Sequence, residues 1–192
     1  MTYIGSRNGQ AIKVCRDAYT PWWGANSAGV SPFHAGEVTI TTVAKMNETG
    51  VTLWGLGTTL DGNESIGLAA TGESSLSVVA KNAAGTVSTI MTVSGISDLT
   101  TRWHWIAIVA DANSTTLYVD KESATVAVGI SPLVGQQGQL GSFHSGSIVA
   151  NKVGTDGYYL DDWCVYDAAL TEAEIRAIKR TLLPDPFIIR FR

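Results

Sequence analysis

The chain has 192 residues, with 13 Lys and Arg against 17 Asp and Glu, a formal net charge of −4. That balance excludes a general electrostatic attraction to nucleic acid, and 45% hydrophobic with only 16% charged residues excludes a disordered chain. No apolar run reaches the ~18 residues of a membrane-spanning helix, and the length suits one all-β domain.

In chain order, short apolar runs alternate with turn chemistry. The opening "MTYIGSRNGQ" lacks the basic start and apolar stretch of a secretory signal. "QAIKVC" (10–15) predicts a strand with Ile12 and Val14 on one face. "YTPWWGANS" (19–27) reads as a turn carrying two adjacent tryptophans. "EVTITTVAKM" (37–46) is rich in β-branched residues and places Val38, Ile40 and Thr42 on one side. "GVTLWGLG" (50–57) and "SIGLAAT" (65–71) flank a DG turn, and "SSLSVVAK" (74–81) and "GTVSTIMTVS" (85–94) form a second hairpin.

"WHWIAIVA" (103–110) is apolar on both faces, which predicts a central strand. It turns through "DANS" into "TTLYVD", and "SATVAVGIS" (123–131) continues the meander. "GQQGQLGSF" (135–143) reads as a loop leading to a short edge, and residues 146–157 approach the last strand. Pro21, Pro32 and Pro132 fall at loop positions. No repeat, linker or low-complexity tract interrupts the chain.

One helix follows the last strand. Thr171 and Glu174 have the spacing of a capping box, and Leu170 and Ile175 that of a hydrophobic staple. Ile175, Ile178 and Leu182 recur at helical spacing, and Pro184 limits extension. Such a short helix is marginal alone and must dock on a sheet. The cysteines, Cys15 and Cys164, lie at opposite ends without CxxC spacing, either as free thiols or as a staple between the first and last strands.

The pair "RWHWIAIVADANSTTLYVD" (102–120) and "DGYYLDDWCVYDAALTEAEIRAI" (156–178) resembles the laminin-G-like, concanavalin A-like lectin/glucanase jelly roll. "GQAIKVCRDAYTPW" and "HAGEVTITTVAKM" are similar to the family's opening strands. The resemblance implies an all-β jelly-roll sandwich of two antiparallel sheets with one short C-terminal helix. It makes the first and last strands neighbours, which would bring Cys15 and Cys164 close, and it packs the helix at the sandwich edge. The domain would span 1–183, with 184–192 as a tail.

A laminin-G-like chain that starts at its first strand and finishes in "LLPDPFIIRFR" is also similar to small reading frames of tailed-phage genomes, which accompany virion structural genes. That likeness implies a virion accessory protein, a capsid decoration or a head or tail fibre component, made in the host cytoplasm without a signal peptide. Phe187, Ile188, Ile189 and Phe191 would anchor it to protein partners or to further copies, or would fold back on their own domain. The alternatives are a carbohydrate-binding lectin module of a bacterial protein, cytoplasmic or extracellular, and, third, a glycoside hydrolase.

The family's glucanases use a Glu-x-Asp-x-(x)-Glu carboxylate cluster, and the sequence lacks it, so no catalytic residue and no enzyme activity is expected. Asp161 and Asp162 would point to opposite faces of a regular strand, and Glu172 and Glu174 belong to the helix start. None of His34, His104 and His144 sits in a nucleophile motif, and His104 is expected to pack and make a local hydrogen bond. No cofactor is required. Relatives hold calcium with oxygen ligands, for which Asp17 and Asp161 are the candidates here.

Sugar contacts are expected from Trp22, Trp23, Asn26 and Tyr158. The alternative is that the tryptophans cap the core or pack on a neighbour, and that Tyr158 and Tyr159 are cross-strand packing partners. Trp54, Trp103, Trp105 and Trp163 are expected in the core. Neither nucleic acid nor a membrane is an expected partner.

Overall fold

The computed structural model describes residues 2–5, 10–14, 22–24, 37–57, 65–81, 86–129, 137–140 and 157–182. The strands are β1 (Thr2–Gly5), β2 (Gln10–Val14), β3 (Trp22–Gly24), β4 (Val38–Met46), β5 (Val51–Gly57), β6 (Ser65–Gly72) and β7 (Ser75–Lys81). They continue with β8 (Val87–Val93), β9 (His104–Ala110), β10 (Thr115–Val119), β11 (Glu122–Val126), β12 (Gln137–Leu140) and β13 (Tyr158–Tyr166), before helix α1 (Glu172–Leu182). A seven-stranded sheet has the order β1-β2-β13-β4-β9-β10-β11, and a six-stranded sheet the order β3-β12-β5-β6-β7-β8. All pairings are antiparallel. This is the jelly-roll sandwich that the sequence implied.

Period-2 alternation sorts the side chains into layers. Val38, Ile40, Ala44 and Met46 of β4 and Ile106 and Ile108 of β9 face the six-stranded sheet. That sheet answers with Leu53, Trp54, Leu68, Ala70, Leu76, Val78 and Met91. The strand predicted to be central, β9, lies between β4 and β10 and is buried on both faces. Two contacts tie the sheets together across the core. Trp54 of β5 meets Trp163 of β13 edge to face at 6.1 Å, and the Tyr158 hydroxyl of β13 donates to the Leu53 carbonyl of β5.

The last strand pairs with β2 on one side and β4 on the other, as the family topology requires. It is not regular. Asp161 faces Val43 while Cys164 faces Thr41, so β13 holds one extra residue, and Asp162 takes a left-handed φ of 49°. This bulge resets the alternation. Before it Tyr158 and Leu160 enter the core; after it Trp163 and Val165 do, and Cys164 is exposed as a free thiol. The proposed partner Cys15 lies outside the described residues.

The capping box forms: the Thr171 amide donates to Glu174 Oε2 at 2.8 Å, and the Glu174 amide to Thr171 Oγ1 at 3.4 Å. Ile175, 1% exposed, anchors the helix against Val43, Trp105 and Ala107, with Leu170 in the same cluster. These residues belong to β4 and β9, in the middle of the seven-stranded sheet. The helix therefore seals the outer face of that sheet and does not sit at the sandwich edge, because the apolar stripe it needs lies there.

Four further differences are local. Thr2–Gly5 adds a strand before the expected first one. Trp22–Gly24, read as a turn, is an edge strand. Gln137–Leu140 is not an edge but pairs on both sides, with β3 and β5. The strand after the β10 turn ends at Val126, short of the predicted 131.

Candidate functional site

The expected sugar contacts do not converge among the described residues. Trp22 and Trp23 sit on β3, at the free edge of the six-stranded sheet. Asn26 and the tail residues Phe187, Ile188, Ile189 and Phe191 lie outside the described residues, as does Asp17. Tyr158 is corrected: it is fully buried, and its hydroxyl serves the Leu53 carbonyl, so no glycan reaches it. Its position two residues before Leu160, ahead of the bulge, turns it inward.

One carboxylate oxygen of Asp161 has a local partner. Its Oδ1 accepts the Asp162 amide at 2.9 Å, which holds the bulge, while its carbonyl accepts from Thr42 Oγ1 at 2.9 Å. Among the described residues no group of three His, Cys, Asp or Glu side chains that could hold a metal ion is found.

The outer face of the six-stranded sheet is built from small residues. Thr52, Ala69, Ser77 and Thr92 form one transverse row in register, with Gly55, Gly67 and Val79 beside it. Ser77 Oγ bonds Thr71 Oγ1 at 2.7 Å and Thr92 Oγ1 at 2.8 Å. Thr52, Ala69 and Ser77 are nonetheless buried, while Thr71, Thr89 and Thr92 are exposed.

His104 is a structural residue at the opposite sheet, in line with the sequence reading. It is fully buried, with Nδ1 2.8 Å from Asp120 Oδ2 and Nε2 3.2 Å from the Asp98 carbonyl. Both partners offer acceptor oxygens to the ring. Asp120, at a left-handed φ of 54°, also accepts the Trp105 amide at 3.0 Å and Arg102 at 3.4 Å. Burial pushes its carboxyl pKa up, but the bonds from His104 and Trp105 and the charges of His104 and Arg102 outweigh that and hold it below the ordinary carboxylate value.

Beside this node a groove of about 230 Å³ runs between α1 and the outer face of β9–β11. Trp105, Tyr118 and Ser123 line it from the sheet, Lys121 from the β10–β11 turn, and Arg176, Lys179 and Arg180 from the helix. Lys179 Nζ donates to the Asp120 carbonyl and lies 5.7 Å from the Trp105 ring centroid. Sequence reading did not single out this groove. Its one local signal is the spacing of Arg176, Lys179 and Arg180, which puts three cations on one side of a helix.

The profile of the Laminin_G_3 family, described as the concanavalin A-like lectin/glucanases superfamily, matches residues 23–176. No curated protein matches the sequence. Among solved structures, the chain is similar to the enzymatically active domain of tailspike protein 2 of bacteriophage CBA120, with TM-score 0.65 and 13% identity, over 95% of this chain and 29% of that one. Domain 4 of the arabinanase AbnA from Geobacillus stearothermophilus, in complex with arabinotriose, gives TM-score 0.61 and 15% identity over 92% and 79%. The carbohydrate-binding module CBM40 of the Ruminococcus gnavus IT-sialidase, bound to α2,6 sialyllactose, gives 0.57 and 17% over 88% and 95%. At these identities the likeness is one of fold. With the profile spanning both sheets and the start of the helix, the chain belongs to the concanavalin A-like lectin/glucanases superfamily.

Proposed function

We propose that this chain is a non-catalytic module that displays a lectin-type sandwich for glycans on a virion. The observation that carries the reading is where the fold commits its acids. Hydrolysis of a glycosidic bond uses two carboxyl groups facing one substrate, about 5–9.5 Å apart. Here Asp161 holds the bulge amide, Asp120 holds His104 and Trp105, Glu174 closes the helix cap and Glu172 pairs with Arg176. For these four acids the duties are structural, which favours a binding surface over a reaction centre; Glu48, Glu73 and Asp98 line a second hollow.

Two relatives of the same fold carry a bound saccharide in their structures, which supports a glycan as ligand. The tailspike likeness supports the virion setting. Trp22 and Trp23, on an edge strand, are the proposed aromatic contacts, and residues 184–192 the proposed anchor.

A glycan array with the full chain tests the reading. Binding that Trp22→Ala or Trp23→Ala abolishes, with an unchanged circular-dichroism spectrum, is the expected result. Release of reducing sugar from any bound glycan would overturn the non-catalytic assignment. Mass spectrometry of virions made by the encoding genome tests the setting, and finding the chain only outside particles would leave the bacterial lectin reading in its place.

A further inference from the structure

We propose that the groove between α1 and β9–β11 binds an anionic sugar, a saccharide carrying a carboxylate or sulfate group. The inference rests on the glycan-binding reading and adds a place and a chemical class.

The charge count of the groove carries it. Lys121, Arg176, Lys179 and Arg180 line it together with two acids, Asp120 and Glu172. Both acids are already engaged, Asp120 by His104, Arg102 and the Trp105 amide, and Glu172 by Arg176. Lys179 is held by the Asp120 carbonyl and the Trp105 ring, which fixes its ammonium at the groove wall. Lys121 and Arg180 form no ion pair among the described residues. A chain of net charge −4 thus concentrates unneutralised cations in one concavity.

The cations come from two directions, the β10–β11 turn and the helix, so they can hold one anionic group from both sides. An anion here would also meet the Tyr118 hydroxyl, which makes no hydrogen bond among the described residues. Burial and the nearby Glu172 raise the Tyr118 pKa against the opposing pull of Arg176, so this hydroxyl stays protonated and donates. The volume of 230 Å³ is below the ~300–1,000 Å³ of pockets that enclose a drug-sized ligand. It fits one charged substituent with part of its ring, while the rest of the saccharide lies along the surface.

Isothermal titration of the full chain with oligosaccharides of dextran sulfate, of polygalacturonate and of neutral dextran, at about 0.15 M salt, tests the proposal. The sulfated and carboxylated arms identify which anion the groove takes. Binding of at least one anionic probe and no binding of dextran is expected. Lys121→Ala with Arg180→Ala should weaken that binding by about tenfold or more, since charge-assisted bonds to both cations are lost. Tyr118→Phe should weaken it by about threefold or more, an effect that diffuse surface charge would not show.

Unchanged affinity in either variant, equal binding of dextran, or no binding of both anionic probes overturns the groove. Array hits that the tryptophan variants abolish, alongside silent titrations, overturn the groove alone. A blank array and silent titrations overturn the glycan reading with it.

Discussion

Replacing Asp120 by alanine should be among the most damaging single changes on the seven-stranded sheet. The carboxylate receives three bonds, from His104 Nδ1 at 2.8 Å, the Trp105 amide at 3.0 Å and Arg102 at 3.4 Å. The Arg102 bond is exposed and contributes little. The other two donors are fully or nearly fully buried, His104 at 0% and Trp105 at 1% exposure. Each buried donor left unsatisfied costs about 1–3 kcal/mol, and breaking a buried polar pair reaches about 3–5 kcal/mol. Asp120 is one-quarter exposed, so water relieves part of this, and a loss of about 4 kcal/mol is expected.

For a chain of this size that loss lowers Tm by roughly 8–16 °C. Asp120→Asn provides the contrast. Asparagine tolerates the left-handed φ, keeps an acceptor for the Trp105 amide, and lets a neutral His104 accept at Nδ1 while donating at Nε2, so about 1 kcal/mol is expected. The two variants also differ from wild type in acid. A carboxyl whose folded pKa is depressed adds stability above its unfolded value, near about pH 4, and that stability is lost as pH falls through the lower folded value. Urea unfolding followed by tryptophan fluorescence, at neutral pH and down through about pH 3, reads all of this. A loss under about 1 kcal/mol in Asp120→Ala, or an acid dependence as steep in Asp120→Asn as in wild type, would refute the reasoning.

Three further changes probe other parts of the molecule. A Cβ at Gly129 would overlap the Ala112 carbonyl group and lie 2.5 Å from the Asn113 nitrogen. Because both are backbone, Gly129→Ala should displace the β9–β10 turn and lower the urea midpoint by the equivalent of about 1–3 kcal/mol; no change would mean the approach is looser than described. Ile175→Ala removes the buried anchor of α1, at an expected cost of about 2–5 kcal/mol, and should red-shift emission from the Trp105 beneath it. A stability loss without that shift would place the helix elsewhere. Tyr158→Phe leaves the Leu53 carbonyl without its side-chain donor, with a loss of about 1–2 kcal/mol expected, and a neutral effect would indicate that water replaces the hydroxyl.

Where the deciding interactions are local, the sequence was readable. Thr171 and Glu174 announce the helix start because a capping box closes within four residues. The double-sided apolarity of β9 announces a central position, and its burial agrees. Less legible are β3 and β12, three and four residues long; β3 sets two tryptophans side by side and β12 carries Gln and Gly, so neither shows an apolar alternation, and β12 pairs with β3 and β5. The bulge at Asp162 was invisible because it is set by register against β4, a partner more than a hundred residues away. That register decides that Tyr158 enters the core, which removed it from the sugar contacts. The groove was missed for the same reason: Lys121 and Arg180 are strangers in sequence until Ile175 seats the helix.

The central place of β13 has a consequence for how the molecule is made. Among the described strands it is the last to emerge during synthesis, yet it wedges between β2 and β4, which are laid down far earlier. Until it arrives, both carry ladder groups with no mate, and such edges invite other chains to pair with them. Non-local pairing of this kind also slows folding. A ribosome halted before residue 158 would therefore release a sandwich with a gap in its larger sheet and two adhesive edges, and a chaperone would have a defined job: to shield β4 until its late neighbour slides in.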